Sequence, residues 1–281
     1  MILPRCLKIL SPLKVNVKNL TRKVRLLLSP HDDKIPSMAE LPLLGKTILV
    51  TGAARRLGRV FALVCARAGA NLIVHYNESK EEAAALQKEI ESLGRRAWTI
   101  QADLSKPASA EKLITQAIEA RPIYGLINSA AIFEPLTLQT ASLADWERHL
   151  TINLTAPFLL SQAFAKQIPA NDSGRIVNIL DWRAMRPGAD HFPYTVSKSA
   201  LAAMTKSLAV ALAPNITVNG LALGAALPPI DRPVNDDILA NVPAKRWSKL
   251  SEVEEVLIFL LTGPSYITGE IIHLDGGRHL V

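Results

Sequence analysis

From Leu44 onward, short apolar runs alternate with longer stretches of helical spacing, and this alternation constrains the fold more than any other feature of the chain. Residues 47–50, 71–74, 97–101, 125–127, 175–180, 217–222 and 270–274 are mostly apolar without strict alternation, the pattern of strands covered on both faces. Between them, residues 57–68, 81–93, 110–120, 143–167, 194–212 and 252–261 carry good helix formers at helical spacing. Strand and helix repeated this way predict an α/β fold: a doubly wound, mostly parallel, seven-stranded sheet flanked by helices, with ligands at the carboxyl ends of its strands. A single domain over residues 41–281 accommodates the pattern, and a chain of 281 residues that is 49% hydrophobic can bury one large core.

Residues 1–40 read differently, as a basic and poorly ordered N-terminal extension. Eight Lys/Arg against Asp32 and Asp33 put +6 of the net +7 before residue 38, so the rest of the chain carries only +1. That near-neutral remainder speaks against a nucleic-acid partner. Three readings of the extension stay open: a targeting or surface-binding segment, an arm that packs on a partner subunit, or an upstream start with Met38 as the true one, which we favour. A secretory signal is not expected, because no apolar segment leads to a small-residue cleavage site. No apolar run approaches the roughly 20 residues that span a bilayer, so no membrane partner is expected. Cys6 and Cys65 suggest neither a disulfide framework nor a metal site, and a reducing, cytoplasmic setting follows.

Directly after the first predicted strand comes Thr51-Gly52-Ala53-Ala54-Arg55-Arg56-Leu57-Gly58. Glycines there let the backbone turn tightly against a pyrophosphate, which the positive end of the next helix then stabilises. Arg56 stands where a middle glycine is usual, so the turn alone is equally an ordinary strand-to-helix loop. The second strand runs into His75-Tyr76-Asn77-Glu78-Ser79. A site for NADH wants a carboxylate at the strand tip, whereas Arg55 offers a planar fork for the 2′-phosphate of NADPH, with Asn77 and Ser79 adding hydrogen bonds. Glu78 opposes that reading unless it faces solvent or a ribose hydroxyl. Asp103, beside Leu104 after the third strand, either accepts from the adenine amino group or caps a turn.

Tyr194 and Lys198 are four residues apart at the start of an apolar helix, which places both on one face. An adjacent ammonium favours the phenolate, so the phenol is expected below its usual pKa of about 10 and able to donate a proton.

Together Thr51-Gly52, Asn128-Ser129-Ala130, Asn153, Tyr194/Lys198, Ile267-Thr268-Gly269 and Leu274-Asp275-Gly276-Gly277 resemble a short-chain dehydrogenase/reductase over residues 44–281. The resemblance implies a Rossmann-type fold and a tetrameric, or dimeric, assembly. It also implies that Asn128, Ser129, Ala130 and Gly224 border the cofactor, that Asn153 supports a proton-relay water, and that Lys198 holds the nicotinamide ribose. The serine usual in that family thirteen residues before the tyrosine is here Asp181. A carboxylate suits ring nitrogens and amino groups better than a carbonyl oxygen.

The chain is similar to the pteridine reductase branch in residues 51–58, His75-Tyr76, Asp181 and the Tyr/Lys pair. That resemblance implies hydride transfer from NADPH to a C=N bond of a pterin, dihydropterin or dihydrofolate. Phe133 stacks on the pterin or is a buried loop aromatic; Arg56 touches cofactor phosphate and pterin or is solvated. Catalysis then falls to Asp181, Tyr194, Lys198 and Asn153, with Arg56, Phe133, Asp181 and Tyr194 around the substrate. Two departures bear on the substrate, Leu223-Gly224 where the family has Pro-Gly and Ala131 where the branch offers a hydroxyl. A ketone reductase acting on a 3-oxoacyl thioester or a sugar is the alternative, disfavoured because Asp181 would repel a developing alkoxide. A silent NADPH-binding sensor is a third. Residues 225–250, with Asp231, Arg232, Arg246 and Trp247, are expected to form a mobile substrate lid.

Overall fold

Ile48 and Val50 face one side of the first strand and Leu49 the other, and all three are fully buried. A strand in that position needs a layer of helices on each side. The computed structural model supplies both layers and describes residues 41–227 and 237–281. The N-terminal extension, and Asp231 and Arg232 of the expected lid, lie outside the described residues.

Seven strands form one sheet: β1 (Thr47–Val50), β2 (Asn71–Tyr76), β3 (Ala97–Gln101), β4 (Gly125–Asn128), β5 (Gly174–Asp181), β6 (Ile216–Leu223) and β7 (Ile271–Leu274). All pairs are parallel, in the order β3-β2-β1-β4-β5-β6-β7. The helices are α1 (Arg56–Arg67), α2 (Lys80–Ser92), α3 (Pro107–Ala120), α4 (Leu143–Leu150), α5 (Ala156–Gln167), α6 (Phe192–Leu212), α7 (Asp237–Ala240) and α8 (Leu250–Thr262). Phe61 of α1, Leu86 of α2 and Leu257 of α8 pack with Val50, Val74 and Val177 on one face. Leu113 of α3, Leu160 and Phe164 of α5 and Ala209 of α6 pack with Leu49, Ile73 and Ile176 on the other. Chain order reverses on either side of β1, so a crevice opens at the carboxyl ends of β1 and β4. Among the described residues no helix is long and apolar enough to cross a membrane.

One expected helix is interrupted. Residues 143–167 read as continuous, yet a π-helical turn, Thr151–Thr155, separates α4 from α5. Pro157 explains it, since it has no N–H to return to the carbonyl of Asn153 four residues back. The ladder shifts by one residue instead, and the Ala156 N–H reaches the Thr151 carbonyl. The shift turns Asn153 fully inward.

Candidate active site

A cleft of about 500 Å³ runs along the carboxyl ends of β1 to β4 and reaches Tyr194. Its floor is the turn after β1. Gly52 adopts φ +64°, a left-handed conformation that favours glycine. A Cβ at Gly58 would lie 2.1 Å from the Gly52 carbonyl oxygen, so the start of α1 folds onto the turn only with glycine there. The Gly52 N–H donates to His75 Nδ1 at 3.0 Å, which leaves the proton on Nε2 to donate to the Ala102 carbonyl at 3.0 Å. Burial pushes His75 down to about 4, so the ring is neutral and joins the ends of three strands. Thr51 completes the frame: its Oγ1 accepts from the Ser129 and Ala130 N–H groups at 2.9 and 3.0 Å.

The cleft has the donors a dinucleotide requires. Arg55 caps α1 without a side-chain bond, and no acidic residue occupies the first turn, so the helix N-terminus is open to a pyrophosphate. Arg55, Arg56, Leu57, Gly58, Tyr76, Asn77 and Ser79 line this end together with Glu78. Arg55 Nη2 pairs with Glu82 Oε1 at 2.5 Å, but both side chains are well exposed and the pair is weak. Asp103 and Leu104 line the cleft next to them. Asp103 also accepts from the Ser105 N–H and hydroxyl at 3.0 and 2.6 Å, and these bonds hold its carboxyl below the usual range. Ser129, Ala130, Ala131 and Phe133 form the wall leading to Tyr194.

At that end the Tyr194 hydroxyl donates to Asp181 Oδ2 at 3.2 Å. Asp181, the last residue of β5, is fixed through Oδ1 by the Arg183 N–H at 2.8 Å. Lys198 Nζ donates to the Ile179 carbonyl at 2.6 Å and stands 5.8 Å from the centre of the Tyr194 ring. The expected lowering of the phenol by this amine is overturned. Burial first, and then the Asp181 charge, push Tyr194 well above its ordinary value. Burial also lowers Lys198 to about 8, against the pull of Asp181, and raises Asp181 against Arg183 and Lys198. The free site therefore keeps its proton on the phenol, beside a carboxylate more basic than an exposed aspartate.

Other residues singled out in the sequence lie behind this surface. The Asn153 amide donates to the Ile132 carbonyl and Ser197 Oγ at 3.1 and 3.0 Å and accepts from the Ile132 N–H at 2.9 Å. It thus ties the loop after β4 to α6. Asn128 is buried and donates to Asn178 Oδ1 at 2.8 Å across the β4–β5 register, behind the residues that line the cleft. Gly224 does not line the cleft either; its N–H bonds the Leu274 carbonyl at 3.0 Å, and a Cβ there would lie 2.6 Å from the Asp275 Cα. Phe133 is half exposed, stacked flat on His191 at 3.9 Å and edge-on to Tyr194 at 4.6 Å. Sequence reasoning passed over Ser197, Arg183 and His191. Only Ser197, inside Tyr-Thr-Val-Ser-Lys, carried a local signal.

The model of the family described as short chain dehydrogenase matches residues 46–239, across the glycine turn, Asp181 and the Tyr/Lys pair. The chain belongs to the short-chain dehydrogenase family. As such it is an oxidoreductase. This short-chain dehydrogenase is 32% identical over 240 residues to a 3-oxoacyl-[acyl-carrier-protein] reductase of Synechocystis sp., covering 84% of this chain and 97% of the relative. Among solved structures, FolM alternative dihydrofolate reductase 1 from Brucella canis, complexed with NADP, matches at a TM-score of 0.81 and 34% identity, covering 86% of this chain and 96% of that one. A blue fluorescent protein from a metagenomic library, in complex with NADPH, matches at a TM-score of 0.79 and 35% identity, covering 84% and 99%.

Proposed function

We propose that this short-chain dehydrogenase is an NADPH-dependent reductase of a C=N bond in a pterin, dihydropterin or dihydrofolate. The observation that carries the reading is the Asp181 carboxylate, hydrogen-bonded to Tyr194, whose ring Phe133 meets edge-on. The likeness to a FolM dihydrofolate reductase bound to NADP supports both the substrate and the cofactor. The open N-terminus of α1 and the exposed Arg55 guanidinium suit a dinucleotide that carries an extra phosphate.

Bound NADPH supplies the hydride. The chain's own residues manage the proton that must reach the neighbouring ring nitrogen. Tyr194 holds that proton on its hydroxyl, and Asp181, made more basic by burial, accepts from ring N–H or amino donors and passes protons on. Lys198, charged below about pH 8, balances the carboxylate. Asn153 positions Tyr194 indirectly, through Ser197, whose hydroxyl donates to the Tyr194 carbonyl at 2.7 Å.

Sequence relatives that reduce 3-oxoacyl thioesters favour a second reading, ketone reduction on the same frame. The two readings differ at Asp181, because a carboxylate beside a developing alkoxide raises the barrier that a serine hydroxyl would lower. Loss of NADPH absorbance with dihydrobiopterin, dihydrofolate or a 3-oxoacyl thioester separates them. We expect pterin-type turnover that Asp181→Ser lowers by about 100-fold. An unchanged pterin rate in Asp181→Ser removes the proposed role, and turnover of the oxoacyl thioester alone selects the ketone reductase.

A further inference from the structure

Trp182 carries two cations. The Arg183 Cζ lies 4.6 Å from its ring centre and the Arg278 Cζ 4.3 Å. Arg183 follows β5 in the short 3-10 turn Trp182–Ala184, and Arg278 opens another, Arg278–Leu280, at the end of the chain. Each cation gains from the indole face, but two guanidinium groups on one ring repel each other. The nearby anions are already engaged. Asp181 takes the Tyr194 hydroxyl and the Arg183 N–H, while Asp190 takes Arg183 Nη2 at 2.7 Å and pairs with His191 at 2.9 Å. Arg183 Nη1 stands 3.9 Å from Asp181, too far for a hydrogen bond. Arg278 Nη1 donates to the Ile238 carbonyl at 2.7 Å, and no bond is formed by its Nη2 among the described residues. The Nε atoms of both Arg183 and Arg278 are buried without a hydrogen-bond partner among the described residues. Exposed Arg186 adds a third cation to the cluster.

This cationic shelf starts at the reaction centre. Arg183 Cζ is 5.7 Å from the centre of the Phe133 ring, which meets Tyr194 edge-on. His191 covers one face of Phe133, so a ring seated against its remaining face or edge beside Tyr194 would have Arg183 next to it, and beyond Arg183 Trp182 and Arg278. We infer that Arg183 and Arg278 form an anion subsite for a carboxylate-bearing tail on the substrate ring, so that this enzyme prefers a pterin with an acidic side chain over a neutral one. The inference rests on the pterin reading and adds to it the part of the substrate that sets specificity. Arg183 is held by Asp190 and Asp181, so Arg278 Nη2 and exposed Arg186 supply the uncommitted charge of the shelf; a guanidinium fork matches the two oxygens of a carboxylate, and partial burial limits screening by salt.

Equilibrium binding tests the inference, using the full chain with NADP present and Trp182 as part of the fluorescence signal. Dihydrofolate carries a glutamate tail and dihydrobiopterin a neutral one. We expect wild type to bind dihydrofolate about tenfold more tightly, and Arg278→Gln and Arg183→Gln each to erase most of that preference. Arg278→Lys should retain part of it, which also checks that loss of packing is not the cause. Equal affinity for the two compounds in wild type, or an undiminished preference in folded Arg278→Gln, overturns the subsite. NADPH oxidation with dihydrobiopterin but no binding preference rejects the subsite alone. A preference that Arg278→Gln erases, without oxidation of NADPH by either compound, upholds the subsite and rejects the reductase reading.

Discussion

Replacing His75 with Leu tests whether an uncharged imidazole holds the cofactor turn together. The wild-type ring is buried and lowered from 6.5 to about 4, a difference worth about 3 kcal/mol. Between those two values the unfolded chain binds a proton that the folded chain refuses. The contribution of His75 is therefore complete above pH 6.5 and is lost as pH falls from 6.5 toward 4. About 2 kcal/mol of it should be gone by about pH 5. In His75→Leu this sensitivity vanishes, but the Gly52 N–H and the Ala102 carbonyl lose their partner. Each orphaned group costs about 1–3 kcal/mol, so the variant should be about 2–6 kcal/mol less stable at neutral pH. Urea unfolding of both proteins at about pH 7 and about pH 5, without cofactor, reads the two effects together. The stability gap should narrow on acidification. Parallel losses in wild type and variant would show that the ring is not the buried neutral bridge described above.

Two other substitutions test the turn and the proton chemistry. Gly58→Ala places a methyl group 2.1 Å from the Gly52 carbonyl oxygen, so the turn must open, and titration with NADPH should show affinity weakened by about tenfold or more. An unchanged affinity would mean that the turn does not bind the phosphates. Lys198, lowered to about 8 by burial, is charged below that pH and neutral above it, so kcat/KM should fall as pH rises through about 8. Lys198→Met should be slower and should lack this limb; if the limb persists, another group produces it.

Much of the fold was legible because its signals are local. Strands covered on both faces are mostly apolar, so the seven runs marked seven strands, with ends moved by at most two residues, although edge strand β3 exposes Thr99 and Gln101. Tyr194 and Lys198 could be paired because four residues make about one helical turn. The break at Thr151–Thr155 was also encoded, in Pro157, but it was hidden by a helical pattern that continues on both sides. His75 lines the cleft at the tip of β2, but that its two ring nitrogens bridge the Gly52 N–H and the Ala102 carbonyl was not legible in the sequence, because three strand ends meet there only in the fold.

Element order and the chemical types at the site are thus properties of short stretches of chain, written in spacing and side-chain identity. The direction in which the phenol titrates is not. It depends on a carboxylate thirteen residues away that β5 brings within 3.2 Å, on an amine committed to the Ile179 carbonyl, and on the water excluded from all three. Electrostatic energies follow distance and solvation in space, and only the packed strands and helices set those values.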